Sequence, residues 1–500
     1  MRAILFCVLS AFAGLCHAAL DSALVLKLAN GDGDEKAAAI AAIVASGDEG
    51  AAAVLKSLGE GEVVVDGQRF EVVVNNRLRG AIESALAALA LVSPDSAVRA
   101  AAVKELAGRA DESMSPLVKK ALAKETDPDI KSSLTMIAAS MDLKGGDKDA
   151  RLAAIKLLAG SSNPATKTLL LPLADKGEID DDVRREARES LKRVEARLAR
   201  AQFLGLLFSG VSLGSILLLA ALGLAITYGL MGVINMAHGE LIMIGAYTTY
   251  VVQNLFRSHL PQAFDAYLLA AVPASFAIAG LVGMALERTV IRWLYGRPLE
   301  TLLATWGISL ILIQSVRTIF GAQNVQVENP GFMSGGVEIL TGVVLPWSRI
   351  VIIAFAAAVL ACMGLLLSRT RLGLFVRGVT QNRAMAACVG VPTARVDTWA
   401  FGLGSGLAGL AGCALSQIGN VGPDLGQSYI VDSFMVVVLG GVGQLAGTVY
   451  AALGLGFANK LLESWSGAVL AKIAVLVFII VFIQKRPQGL FAMKGRAFES

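Results

Sequence analysis

Histidine and cysteine are missing from the part of this chain where a soluble catalytic or redox domain would need them. The 500 residues include three histidines and five cysteines, and residues 20–200 hold neither. That stretch therefore has no disulfide framework, no CxxC zinc spacing and no histidine to act as acid or base. Cys7 and Cys16 lie at the extreme N-terminus, and Cys362, Cys388 and Cys413 lie in or beside long apolar runs. A Gly-Lys pair occurs nowhere in the sequence, which excludes a Walker A phosphate loop. The formal charge is only +4, without a polybasic tail, which argues against nucleic acid as a partner. After about residue 200 charge itself becomes scarce. The whole chain is 55% hydrophobic with a mean hydropathy of +0.64, above the soluble average. Since Lys, Asp and Glu concentrate before residue 200, the organisation reads as a soluble domain followed by a membrane domain.

Residues 1–19, MRAILFCVLSAFAGLCHAA, place Arg2 before a short apolar run that ends in Ala18 and Ala19. This is the three-part pattern of a secretory signal peptide, and the run is shorter than the roughly 20 residues a membrane span requires. Residues 20–200 are alanine-rich with helical periodicity. AAAIAAIVASG (37–47), VRAAAVKELAG (98–108) and ARLAAIKLLAG (150–160) align without gaps, and a second helical pattern follows each. Apolar-faced helix pairs that repeat in this way predict a stacked, HEAT-like α-solenoid. A small hairpin is expected within residues 63–74, where Asp66-Gly67 sits between alternating apolar residues. The scattered acids of this domain read as solvated helix faces, and a partner-binding surface is the sharper expectation.

Apolar runs centred on residues 203–228, 236–256, 266–290, 301–320, 349–368, 398–418, 431–443, 447–463 and 468–484 predict an all-α polytopic membrane domain over residues 201–490. The count is nine spans, or eight if residues 431–463 form a re-entrant pair around Gly440-Gly441-Val442-Gly443. Residues 369–397 contain Arg369, Arg371, Arg377, Arg383 and Arg395 against the single acid Asp397, and the tail adds Lys485, Arg486, Lys494 and Arg496. The positive-inside rule places both segments in the cytoplasm, together with the tail at 491–500. Nine crossings then put the N-terminal domain outside, as the export signal independently requires.

Three motifs stand out. Residues 226–250, ITYGLMGVINMAHGELIMIGAYTTY, hold Asn235, His238 and Glu240 within six positions of an otherwise apolar region. Polar groups are costly in hydrocarbon unless they face protein or water. The HGE triplet matches neither HExxH nor HxE followed by PCxxC, so no metal site or catalytic residue is assigned, and a helix-breaking turn is expected. Residues 401–412, FGLGSGLAGLAG, place Gly402 and Gly406 in GxxxG register for close helix packing. Within residues 369–397, a short helix around 381–389 between basic residues and Gly390-Val391-Pro392 reads as a docking element.

Residues 222–247, the loop with TQNRAMAACVGV and the segment VLGGVGQLAG (438–447) together resemble the membrane permease family of branched-chain amino acid-type ABC importers. Residues 297–312 and the exported N-terminal domain look most like the urea-transporting branch of that family. The resemblance implies a non-enzymatic permease of the bacterial inner membrane that needs no cofactor. Its implied partners are a second related permease subunit, two cytoplasmic ATPase subunits and a periplasmic substrate-binding protein, with membrane lipid around it. Its implied cargo is urea, with branched-chain amino acids or short amides as the alternative; a membrane-anchored interaction protein is the reading from another class. Candidate pathway groups are Thr227, Tyr228, Asn235, His238, Glu240, Thr305, Trp306, Gln314 and Gln417, each equally readable as a satisfied helix contact. The implied coupling segment comprises Gln381, Asn382, Arg383, Ala384, Met385, Ala386, Ala387 and Gly390. Ala384 stands where relatives often carry an acid, which removes a salt bridge from the expectation but leaves the docking role.

Overall fold

Alanine favours helix throughout the first part of the chain, and aspartate and asparagine fix where several of those helices start. The computed structural model describes residues 22–46, 50–65, 68–107, 114–145, 147–161, 163–175, 180–340 and 343–491; the expected signal segment, the Asp66-Gly67 turn and the tail from 492 lie outside them. The chain divides into two compact units, Met1–Ala199 and Arg200–Ser500. In the first unit the helices are α1 (Ser22–Asn30), α2 (Gly33–Ser46), α3 (Ala51–Gly59), α4 (Asn76–Ala90), α5 (Ser96–Leu106), α6 (Ser115–Lys124), α7 (Pro128–Lys144), α8 (Lys148–Leu158) and α9 (Ala165–Ala174). Strands β1 (Glu62–Val65) and β2 (Gln68–Glu71) pair antiparallel between α3 and α4. Asn75 accepts from the Leu78 amide, Asp95 from Ala97, Asp127 from Asp129 and Asp147 from Asp149, so α4, α5, α7 and α8 each begin on a side-chain cap, as α2 does on Asp32. Neighbouring helices bury Leu28, Ile43, Leu55, Leu58, Leu106 and Leu134 in one core, and Ile155, Leu158 and Leu170 in another. Between the α5 and α7 caps, Arg99 forks onto Glu125 at 2.8 and 3.0 Å. Glu125 also accepts the Thr126 and Asp127 amides at 3.0 Å each, and with the Arg99 guanidinium these donors hold its carboxyl down at about 2.

The second unit is built around α17 (Thr393–Ser416), preceded by α10 (Asp181–Met231, which begins within the first unit), α11 (His238–His259), α12 (Tyr267–Thr289), α13 (Pro298–Phe320), α14 (Trp347–Arg369), α15 (Arg371–Gln381) and α16 (Arg383–Cys388), and followed by α18 (Leu425–Gly440), α19 (Leu445–Ser466) and α20 (Ala468–Lys485). Nearly every residue of α17 from Val396 onward is buried. Its glycines explain why. A methyl group on Gly402 would meet Met284, and one on Gly406 would meet Phe276, both on α12; one on Gly412 would collide with the Ile242 carbonyl of α11. The GxxxG pair thus seats side chains of α12, while Gly409 and Gly412 bring α17 to backbone contact with α12 and α11, where dispersion and shape replace hydrophobic driving force.

Among the described residues, seven helices are long and apolar enough to cross a membrane: Asp181–Met231, Pro261–Thr289, Pro298–Phe320, Trp347–Arg369, Thr393–Ser416, Leu445–Ser466 and Ala468–Lys485. Each of the nine runs read from the sequence contains a helix, but α18 is a shorter apolar helix and α11, though 22 residues long, carries too much polarity to join the seven. Gly441 and Gly443 have φ of +98° and +78°, and reverse the chain between α18 and α19, whose Gly440 and Gly447 touch backbone to backbone. A second hairpin, β3 (Gly336–Leu340) with β4 (Val343–Pro346), departs from an all-helical reading. Its strands carry the β-branched Val337, Ile339, Val343 and Val344.

Candidate functional site

The helical ladder of α10 stops at Met231 because Gly232 turns to φ +65°, and α11 begins only at His238. The six residues between carry backbone groups that need partners in an apolar bundle, and side chains supply them. Asn235 Oδ1 accepts the Ala237 amide at 3.0 Å, capping the approach to α11. Thr305 of α13 accepts the Met236 amide at 3.2 Å while its own hydroxyl donates to the Thr301 carbonyl at 2.8 Å. One turn further along α13, Ser309 donates to Glu240 Oε1 at 2.6 Å. Thr301, Thr305 and Ser309 are all buried at four-residue spacing, so a single hydroxyl stripe of α13 faces the break. His238 Nε2 lies 3.0 Å from the Ala220 carbonyl, which can only accept, so that nitrogen carries the proton. Gly223 leaves room for its ring, since a methyl group there would touch His238 Cε1.

Several polar atoms here remain without a partner: Asn235 Nδ2, His238 Nδ1, Glu240 Oε2 and, two turns up α11, the Tyr247 hydroxyl. Thr305 and Ser309 of α13 thus meet the break at Met236 and Glu240, whereas His238, two positions before Glu240 on α11, turns to the Ala220 carbonyl of α10. Sequence reasoning missed Ser309, although its i+4 position from Thr305 marked it. Among the described residues no third His, Cys, Asp or Glu completes a metal-binding group with His238 and Glu240.

The remaining candidates fall elsewhere. Thr227 donates to carbonyls of its own helix and lies against Gly404, while the Tyr228 ring sits 5.9 Å from that of Phe434. Neither lines the cavity of about 530 Å³ bounded by their neighbours Ile226, Gly229 and Leu230 with Arg377, Gln381 and Gln444. Gln417 lies at the other end of α17, with its Oε1 3.0 Å from the Tyr267 hydroxyl, which is also 2.7 Å from the Glu328 carbonyl. Gln253 donates to that same carbonyl at 3.0 Å, and Arg317 pairs with Asp424 at 2.8 Å nearby in the chain. Trp306 and Gln314 are exposed on faces of α13 other than the hydroxyl stripe, and neither joins the polar cluster.

The segment expected to dock has a stepped form. Thr370 caps α15, Asn382 caps α16 by accepting the Met385 amide at 2.9 Å, and Gly390 leaves α16 at φ +88°. Ala386 is the buried residue of α16, whereas Met385 on it and Val389 at its C-cap are 61% and 73% exposed. Gln381, Ala384, Ala387 and Gly390 are exposed as well. Arg383 is exposed too, but its guanidinium turns inward and pairs with Asp397 at the start of α17.

The family described as "Branched-chain amino acid transport system / permease component" matches residues 206–484, more than half the chain and nearly all of the second unit. The chain belongs to that family. The high-affinity branched-chain amino acid transport system permease protein BraD of Pseudomonas aeruginosa is 28% identical over 292 residues, covering 58% of this chain and 95% of that protein. LivH of Escherichia coli K12, a permease of the same named system, is 28% identical over 296 residues with the same coverage. The ribose import permease RbsC of Escherichia coli K12 is 28% identical over 238 residues, 44% of this chain and 70% of its own. No solved structure matches. These relatives are transport subunits, so the family's members act as permeases rather than enzymes. The chain is a multi-pass membrane permease of an ABC importer, a role that implies ATPase and substrate-binding partners.

Proposed function

We propose that this permease forms one half of a translocation pathway, completed by a second related permease, for a small cargo delivered by a substrate-binding protein. The observation that carries the reading is the interrupted helix at residues 232–237, where buried amide, imidazole and carboxyl groups with unpartnered atoms lie within a family-matched bundle. Discontinuous helices with free polar groups are what a pathway through an apolar bundle requires. The basic segment at 369–397 lies on the cytoplasmic side in this reading, with the N-terminal unit in the periplasm. Met385 and Val389 then dock into the ATPase subunits, and nucleotide-driven motion of α15 and α16 exposes the break and the neighbouring cavity to each side in turn.

The names of the relatives favour branched-chain amino acids as cargo. Urea is the second reading, supported by the resemblance of residues 297–312 to the urea-transporting branch and by an N-terminal unit that these relatives lack. Uptake of labelled leucine and urea, measured in parallel in cells lacking and re-expressing this chain, separates the two. Loss of leucine uptake alone establishes the first, and loss of urea uptake alone the second. If neither changes, the importer reading fails.

A further inference from the structure

Two carboxylates that play no part in the pathway described above are fully buried where the docking segment meets the bundle. Asp397, in the first turns of α17, is 0% exposed, and so is Glu287 near the end of α12. Ionised groups at such depth persist only when paired and hydrogen-bonded. Asp397 is met by both guanidinium nitrogens of Arg383, whose side chain remains 42% exposed on α16. The same guanidinium lies over the Tyr295 ring, 5.0 Å from its centroid. Tyr295 donates its hydroxyl to Glu287 Oε1 at 3.0 Å and lies 3.1 Å from Met231 Sδ. Thr398, next to Asp397, donates to Glu287 Oε2 at 2.6 Å, and Arg292 approaches Oε1 at 3.7 Å. Tyr295 also packs on a small cluster of Val233, Ile291 and Phe401.

These contacts form an unbroken line. It runs from the docking helix through Arg383 to Asp397 and Tyr295, through Thr398 and Tyr295 to Glu287, and from Tyr295 to Met231, the last residue before the helix break. Resting on the reading that α16 docks an ATPase, we infer that Arg383 is a positioning residue that ties movement of the docking helix to the helix break at residues 232–237, rather than a contact made to the ATPase itself. The geometry gives it this role because its guanidinium faces into the bundle while Met385 and Val389 face out. The fork matters: one planar cation holds the carboxylate on two nitrogens and stacks on the ring, which a lysine ammonium cannot do together. Charges at the junction balance, with Arg383 and Arg292 against Asp397 and Glu287.

The test uses the complete transporter with its ATPase subunits in detergent, and follows backbone hydrogen exchange with and without trapping by nucleotide and vanadate, so no cargo need be known. In the wild type, trapping should change exchange in the peptides covering both 383–388 and 232–237, by about threefold or more. In Arg383→Met, the docking peptide should still respond and the break should not. Arg383→Lys should restore part of the response. Arg383→Met combined with Asp397→Asn leaves no buried unpaired charge, and should regain wild-type thermal stability without regaining the response of the break. A break that responds normally in the double variant would reduce the pair to a structural contact and overturn the proposal. Loss of the docking peptide's response would overturn it also, by placing Arg383 at the ATPase contact. Should neither Met variant assemble, Tyr295→Leu decides: it removes both the stacked ring and the hydroxyl link, and an unaltered break response would refute the relay. Absence of any response in the wild type would instead count against docking itself, and so against the functional reading.

Discussion

Gly245 is a residue whose whole role is to have no side chain. A methyl group there would run into the Gly409 carbonyl of α17. Overpacking at a backbone contact costs about 1–3 kcal/mol and has nowhere to relax. Gly245→Ala should therefore lower the unfolding temperature of the detergent-solubilised protein by several degrees. Gly307→Ala, at a helical glycine with open space within 4 Å, should leave it unchanged. Fluorescence-detected thermal unfolding of the two variants makes the comparison. A second residue-scale prediction concerns Glu125, which is held at about 2, against about 4.3 for a free glutamate. Since the folded value is the lower one, its contribution to stability is complete above about pH 5 and is lost as the pH falls toward the folded value. Glu125→Gln should weaken the acid dependence of the calorimetric transition of the N-terminal unit in the full chain, and its cost should be larger at neutral pH than near pH 3. Equal costs at both would show that the Arg99 pairing does not set that dependence.

Among the elements, α16 is the one whose form the sequence indicated most directly and whose wiring it concealed. Asn382 and Gly390 are readable as start and stop signals, so a short helix between them follows from local chemistry alone. That Met385 and Val389 face outward, while Arg383 faces inward, depends on which side of α16 meets α17. Replacing both Met385 and Val389 with Asp should abolish copurification of the ATPase subunits and leave the permease stable in detergent, because neither side chain is used in the fold. ATPase recovery at the wild-type level from this variant would show that docking lies elsewhere. The break at 232–237 has the same character. Its existence was legible from Gly232 and from Asn235, His238 and Glu240, but its partners Thr305 and Ser309 come from a helix about seventy positions away. Trp306 and Gln314, which offer hydrogen-bonding groups for a small neutral cargo, lie on other faces of that helix, where a 100° step per residue takes neighbours apart.

At the scale of the whole molecule, two units with separate cores imply separable folding. We expect removal of residues 20–195, with the export signal retained, to leave membrane insertion intact, as read by fractionation and protease protection. Loss of insertion would show that the N-terminal unit is needed for the bundle to form. The sequence by itself determined the division into a charged helical part and an apolar part, because hydropathy and period depend only on local order along the chain. It also determined the family, because the motifs at 222–247, 381–390 and 438–447 are contiguous. What only the tertiary structure decided are pairings between distant segments: the hydroxyl stripe of α13 on the helix break, the glycine contacts of α17 with α11 and α12, and the buried Asp397 and Glu287 with Arg383, Arg292 and Tyr295 around them. A charged residue near the end of an apolar run looks the same in sequence whether it faces water or a buried partner. The physical difference lies in the desolvation of that charge, and desolvation is fixed by packing.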